Sequence, residues 1–254
     1  MNHRINSIVR ATNILKLLSQ GVNSFTDIVN RLDMKKSTVH GLIKTLEYEG
    51  FVIQNTINRH YYLGPLILKL GSNPYNLHQH LVSLSKRKME NLRDLTGETV
   101  VLDILLGTDV FALEVIPSKE DIAYIRERGS SMPVYIGAGA RTLLSQLSDN
   151  DVEVITRNLT LTPITQKTVI EKTIFTEQVK LARREGYYIS YGEKSIGSIG
   201  ISVPIQNYLY PASITVLGPE YRLQQRSTEV LKELKQTSDD LGQKLKEYLF
   251  KTSK

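Results

Sequence analysis

Residues able to do acid–base or metal chemistry are unevenly spread along this chain of 254 residues. All five histidines, His3, His40, His60, His78 and His80, fall in the first 80 residues, and cysteine is absent. The remainder therefore has no His-based general acid or base, no Ser-His-Asp triad and no zinc site of His or Cys ligands. His78-x-His80 could hold a metal, but sits beside a helix without an evident carboxylate partner. Asp103, Glu114 and Glu193 are carboxylates on which chemistry could rest, yet no spacing pairs them for it. No G-x-x-x-x-G-K-[ST] loop occurs, and Gly137-Ala138-Gly139-Ala140-Arg141 lacks the strand and helix context of a dinucleotide fingerprint. These absences argue against an enzyme and against a bound metal or cofactor.

What the sequence does supply is recognition chemistry. From about Ser37 to Glu49, Val39, Leu42, Ile43 and Leu46 follow the i, i+3, i+4, i+7 spacing of a helix with one apolar face. The opposite face carries Ser37, Gly41, Lys44 and Tyr48, edged by Thr38, His40 and Thr45. None of these is acidic; Glu47 and Glu49 fall at the flank and near the end. A helix entering the major groove needs this character: no bulk or negative charge against phosphates, and short polar groups near base edges. Lys35, Lys36, Lys44 and, further on, Arg59 are the candidates to meet phosphates.

The surrounding elements suit that role. Ile8, Ala11, Ile14, Leu15 and Leu18 have helical spacing over 6–19, and Gly21 ends that helix. Ser24 is a plausible N-cap for a second helix, with Ile28, Val29 and Leu32 inward. After Gly50, the runs 51–54 and 60–63 flank a polar turn and read as a hairpin whose tip holds Asn58 and Arg59. Three helices and a hairpin make a winged helix-turn-helix over 1–72. That segment holds nine Lys/Arg against four Asp/Glu, whereas the rest holds 23 against 22. Basic excess confined to one end suits a polyanionic partner.

The segments SIVRATNILKLLSQG, SFTDIVNRLDMKKSTVHGLIKTLEYEGFV and HYYLGPLILKLG resemble the N-terminal domain of IclR-type transcription regulators. Lys36-Ser37-Thr38-Val39-His40, Leu42, Thr45-Leu46, Gly50-Phe51-Val52, Tyr62-Leu63-Gly64 and Leu70-Gly71 carry the match. One position departs: the family usually has arginine, implied to be a DNA contact, where this chain has Gly41.

Ser72-Asn73-Pro74 interrupts the pattern, and a helix follows with Leu77, Leu81, Leu84, Leu92 and Leu95 on one side. The resemblance makes 73–97 a linker helix and part of a dimer contact. Beyond Glu98, strands are expected at 100–106, 110–116, 122–125, 187–191, 199–205 and 212–217. Helices are expected at 138–147, 149–157, 171–185 and, as one long terminal helix, 220–250, with Leu231, Leu234, Leu241, Leu245 and Leu249 inward. This describes an α+β domain, 98–254, with a mostly antiparallel sheet.

The resemblance extends through PVYIGAGARTLLSQL, REGYYISYGEKSIGSIGISVPI and ASITVLGPEYRL. It implies a GAF-like domain whose pocket holds a small effector. Matching positions nominate Gly137, Ala138, Gly139, Ser190, Gly200, Ser202 and Thr215 as effector-binding residues, with Tyr135 where the family has histidine. The backbone N–H groups of Gly137–Gly139, opening a helix, could meet an anion.

The whole implies a two-domain, sequence-specific DNA-binding regulator, a repressor controlled by a small-molecule effector. Its expected partners are a double-stranded operator, a metabolite and further copies of itself, as dimer or tetramer. Two alternatives stand: an activator of the same family, or a sensor whose winged helix contacts protein. No stretch approaches the roughly 18 apolar residues of a membrane span, and the N-terminus lacks a signal-type apolar run, so the cytoplasm is the expected location.

Overall fold

The computed structural model describes residues 5–252, with side chains as far as residue 247. His3 and the side chain of Leu249 lie outside that description. The chain divides into two compact units, the boundary falling after Leu77. Most of the helix expected as a separate linker therefore belongs to the second unit.

In the first unit, α1 (Asn6–Ser19), α2 (Phe25–Leu32) and α3 (Lys36–Tyr48) enclose one apolar cluster. Ile14, Leu18, Ile28, Val29, Val39, Ile43 and Leu46 are buried in it, while Ile8 stays exposed. The Ser24 hydroxyl caps α2 by accepting from Asp27 N at 3.2 Å. Strands β1 (Val52–Gln54) and β2 (Tyr61–Leu63) pair antiparallel, Ile53 opposite Tyr62. Their turn is held by the Asn55 side chain, which accepts from Ile57 N at 2.8 Å and Asn58 N at 3.2 Å. A short helix not anticipated from the sequence, α4 (Pro65–Gly71), follows, with Pro65 in its first turn, where a missing N–H costs nothing. Before it, Gly64 sits where a Cβ would lie 2.3 Å from the Gly50 carbonyl oxygen. Only glycine allows that approach of β2 to the end of α3.

The second unit is built on a six-stranded antiparallel sheet in the order β5-β4-β3-β8-β7-β6. The strands are β3 (Thr99–Leu106), β4 (Asp109–Ile116), β5 (Ser131–Pro133), β6 (Tyr188–Tyr191), β7 (Ser198–Pro204) and β8 (Ala212–Pro219). The helices are α5 (Pro74–Thr96), α6 (Gly137–Leu144), α7 (Asp149–Asn158), α8 (Lys172–Glu185), α9 (Glu220–Leu223) and α10 (Ser227–Thr252). On α5 the buried positions are His78, Leu81, Ser85, Met89, Leu92 and Thr96, while Leu77 and Leu95 are exposed. The buried stripe thus runs through polar as well as apolar positions, which leucine spacing alone did not reveal. On α10, Val230, Leu234, Leu241 and Leu245 are buried, and Leu231 is half-buried.

Two expectations fail. Residues 122–125 form no strand: Ile122 and Ile125 are exposed, and the segment runs as a loop pinned by Thr99 Oγ1 donating to Tyr124 O at 2.8 Å. Apolar side chains with no sheet neighbour are not enough to make a strand. The terminal helix is also broken, between Leu223 and Ser227. There Arg226 donates to the last carbonyls of α5, Leu95 O at 3.1 Å and Thr96 O at 3.3 Å. Among the described residues, no helix is long and apolar enough to cross a membrane.

Candidate functional site

The outer face of α3 is open. Lys35, Lys36, Ser37, His40, Lys44 and Thr45 are exposed and Thr38 is half-buried, because Val39, Ile43 and Leu46 hold the opposite face in the core. Gly41 lies between them, and a Cβ there would meet nothing within 4 Å. The wing contributes Arg59, exposed and in the left-handed conformation at φ 61°. It comes near enough to Lys44 for the two cations to oppose each other's charge. Lys44 is nevertheless held protonated above its ordinary range, because Glu47 accepts from its Nζ at 2.6 Å. The acid read as flanking this face therefore reaches onto it.

In the second unit a cavity of about 50 Å³ lies beneath the start of α6. Beside Leu217, the sheet presents Asp103, Ser190, Gly200, Ser202, Ser213 and Thr215 on the side of α6, small or polar side chains where an apolar layer would be usual. Thr142 Oγ1 and Ser202 Oγ lie 2.7 Å apart, and Thr215 Oγ1 donates to Ser202 Oγ at 2.9 Å. The pairing of β3 with β4 slips beside Asp103, the one acid of β3, because Leu113 of β4 is left without a partner, a bulge in the neighbouring strand. Asp103, Thr215 and Ser213 approach Gly139, whose missing Cβ would lie 3.2 Å from Asp103 Oδ2. At Gly200 a Cβ would lie 3.1 Å from Leu217 Cδ2 and 3.2 Å from Ser190 Oγ, so glycine keeps this wall low.

Six of the eight nominated effector positions, Gly137, Ala138, Gly139, Ser190, Gly200 and Thr215, line this cavity. Tyr135 and Ser202 do not. Tyr135 is packed with Phe175 and Val179 in the cluster behind α6, its hydroxyl donating to Thr162 O at 3.2 Å. Ser202 is fully enclosed and bonded to its neighbours. The anion site imagined at the N-terminus of α6 is also occupied from within: Glu193 Oε2 accepts from Gly137 N at 3.1 Å. The same oxygen meets Arg141 Nη1 at 2.7 Å. Arg141 is wholly buried, donating also to Tyr135 O and Gln178 Oε1 and stacking over Phe175.

Sequence reasoning singled out Asp103 only as a carboxylate on which chemistry could rest, and missed the cations of the lining, Arg126 and Lys194, with Tyr124 beside them. Burial drives the Asp103 carboxyl up to about 6, although Arg126 and Lys194 oppose that. Burial, and then repulsion by Arg126, holds Lys194 below its usual range against the attraction of Asp103. One signal was available. Asp103 is the only ionisable residue in the otherwise apolar run 100–106, and a mid-strand acid in such a run marks a functional position. His78, weighed as half of a metal pair, is buried with Nδ1 2.6 Å from Tyr208 Oη.

Two family models match the chain: the IclR helix-turn-helix domain over residues 7–56, and the bacterial transcriptional regulator IclR C-terminal domain over residues 75–243. The chain belongs to the IclR family. As an IclR-family protein it is a DNA-binding transcription regulator with a C-terminal effector-binding domain. It is 28% identical over 223 residues to the HTH-type transcriptional regulator BhcR of Paracoccus denitrificans, covering 86% of this chain and 79% of that protein. It is 27% identical to the HTH-type transcriptional repressor AllR of Salmonella typhimurium, covering 85% and 81%. An IclR homologue from Microbacterium hydrocarbonoxydans, solved with 4-hydroxybenzoate, shares the fold at a TM-score of 0.61 and 19% identity, covering 94% and 99%.

Proposed function

We propose that this IclR-family regulator represses transcription from a two-fold operator, and that a small metabolite in the cavity beneath α6 sets its hold on DNA. Ser37, Thr38, His40 and Thr45 approach base edges in the major groove. Lys35, Lys36, Lys44 and Arg59 neutralise phosphates. Two copies of the chain read two half-sites, since pairing multiplies affinity and specificity; a dimer is the minimal assembly and a tetramer doubles it. The ligand acts by favouring one arrangement of the paired DNA-binding domains over another, which requires unequal affinity for the two. The chain works where the chromosome is, in the cytoplasm, and the cavity binds without catalysing. The observation that carries this reading is the exposed, hydroxylated and basic outer face of α3. Repression follows the repressors among its relatives.

The test is an anisotropy titration of the full chain on DNA upstream of its own gene, repeated across salt. A log–log slope of about −0.9 per phosphate contact is expected. Salt-independent binding, or none, would sink the proposal. A promoter fusion silenced by the chain distinguishes repression from activation.

A further inference from the structure

The cavity beneath α6 carries unmatched chemistry. Glu193 is committed to Arg141 and Gly137 N, so these form a neutral, internally satisfied group. That leaves three charges on the lining: Asp103, Arg126 and Lys194. Asp103 and Arg126 are 3% and 8% exposed. Asp103 Oδ1 lies 3.5 Å from Arg126 Nη2, an ion pair without a hydrogen bond, because that nitrogen donates to Val110 O at 3.0 Å instead. Asp103 Oδ1, Arg126 Nε and Tyr124 Oη are all buried without a hydrogen-bond partner. Buried polar atoms in native proteins are paired with few exceptions, so three orphans around one cavity point to an absent occupant.

The occupant's chemistry follows from theirs. An ionised Asp103 accepts only, so the ligand must donate to it. Arg126 Nε and the Lys194 ammonium donate only, so the ligand must also carry an acceptor, best an anionic one. One negative and two positive groups leave a single positive charge, which a monocarboxylate cancels; a zwitterion leaves it standing and a dicarboxylate overshoots. The volume of about 50 Å³ holds roughly four water-sized groups. Gly139 and Gly200 give that space its shape, one beside the Asp103 carboxyl and one against Leu217.

We infer that the cavity takes a small 2-hydroxycarboxylate, its carboxylate against Arg126 and Lys194 and its hydroxyl donating to Asp103. This rests on reading the cavity as the effector site. A 2-oxo acid of the same size offers Asp103 no donor and leaves the carboxylate facing a carbonyl oxygen.

Calorimetric titration of the full chain at pH 7.5 with glycolate, lactate, pyruvate, propionate, acetate and glycine tests it. Glycolate or lactate should saturate the protein, with pyruvate and glycine weaker by about tenfold or more. Asp103→Asn, which can both accept and donate, should bring lactate and pyruvate within about threefold of each other. Arg126→Gln should lose all carboxylates. Pyruvate that matches lactate in the wild type, or six compounds that all fail to bind, overturns the ligand class without help from any variant. The same ligands are then added to the protein–DNA complex. Selective binding that leaves DNA affinity unchanged upholds the ligand class and sinks the regulatory reading; failure of the class leaves DNA binding standing.

Discussion

Glu193 and Arg141 meet at 2.7 Å with side chains 6% and 0% exposed, and the same carboxylate oxygen accepts from the backbone at Gly137. One carboxylate thus neutralises a buried guanidinium and caps a helix start. It ties the loop after β6 to α6, whose first residues wall the cavity. A buried pair is costly to halve, because the survivor keeps its charge but loses its partner.

Removing either partner should therefore be severe. Arg141→Met and Glu193→Gln should each destabilise the second unit by about 3–5 kcal/mol. The double variant should lose clearly less than the sum, as residues in direct contact do. Urea denaturation followed by far-UV circular dichroism reads both. Additive losses would mean that the two side chains act separately.

Lys44 and Glu47 form the contrasting pair, an exposed lysine and a half-buried acid one helical turn apart. Glu47→Gln should release Lys44, strengthen DNA binding and steepen its salt dependence. Lys44→Met should weaken binding and lower the log–log salt slope by about one. Anisotropy titrations at several salt concentrations measure both. An unchanged slope in Lys44→Met would remove that lysine from the phosphate contacts.

Asp103 should leave a mark on stability against pH. Its carboxyl rises from 3.8 to about 6 on folding, so the folded chain binds a proton between those values that the unfolded chain does not. The burial penalty is full above pH 6, is relieved as pH falls through that value, and is gone by about pH 4. The facing cations Arg126 and Lys194 reduce the penalty without cancelling it. Asp103→Asn should accordingly gain stability at pH 7.5, about 3 kcal/mol at most, and the gain should vanish near pH 4. Thermal melts of both proteins from pH 4 to 8 provide the difference. A variant less stable at pH 7.5 would contradict this account.

Gly41 and Gly64 should respond oppositely to alanine. Position 41 is mid-helix with open space around it, so Gly41→Ala should gain about 0.5–1 kcal/mol. At position 64 a Cβ would strike the Gly50 carbonyl oxygen at 2.3 Å and Phe51 backbone at 2.9 Å. Gly64→Ala should cost the winged unit about 1–3 kcal/mol or more. Differential scanning calorimetry should show the first unit's transition moving up in one variant and down in the other.

Periodicity and end signals alone located α1 to α3, the hairpin and most elements of the second unit, because helix spacing, Ser24 as a cap and Gly21 as a stop are local features. They also identified which face of α3 is turned outward. The cavity's charges were beyond that reach. Asp103, Arg126 and Lys194 stand 23 and 68 positions apart in sequence, and they meet only because a central strand, a loop that is not a strand and the turn after β6 converge under α6. Nor could any local pattern foretell that Glu193 would fill the helix start left open for a ligand. Sequence pattern determines which residues each element turns inward. Which buried charges find one another, and which are left for an outside molecule, was decided by sheet register and loop path, where contacts between distant positions are made.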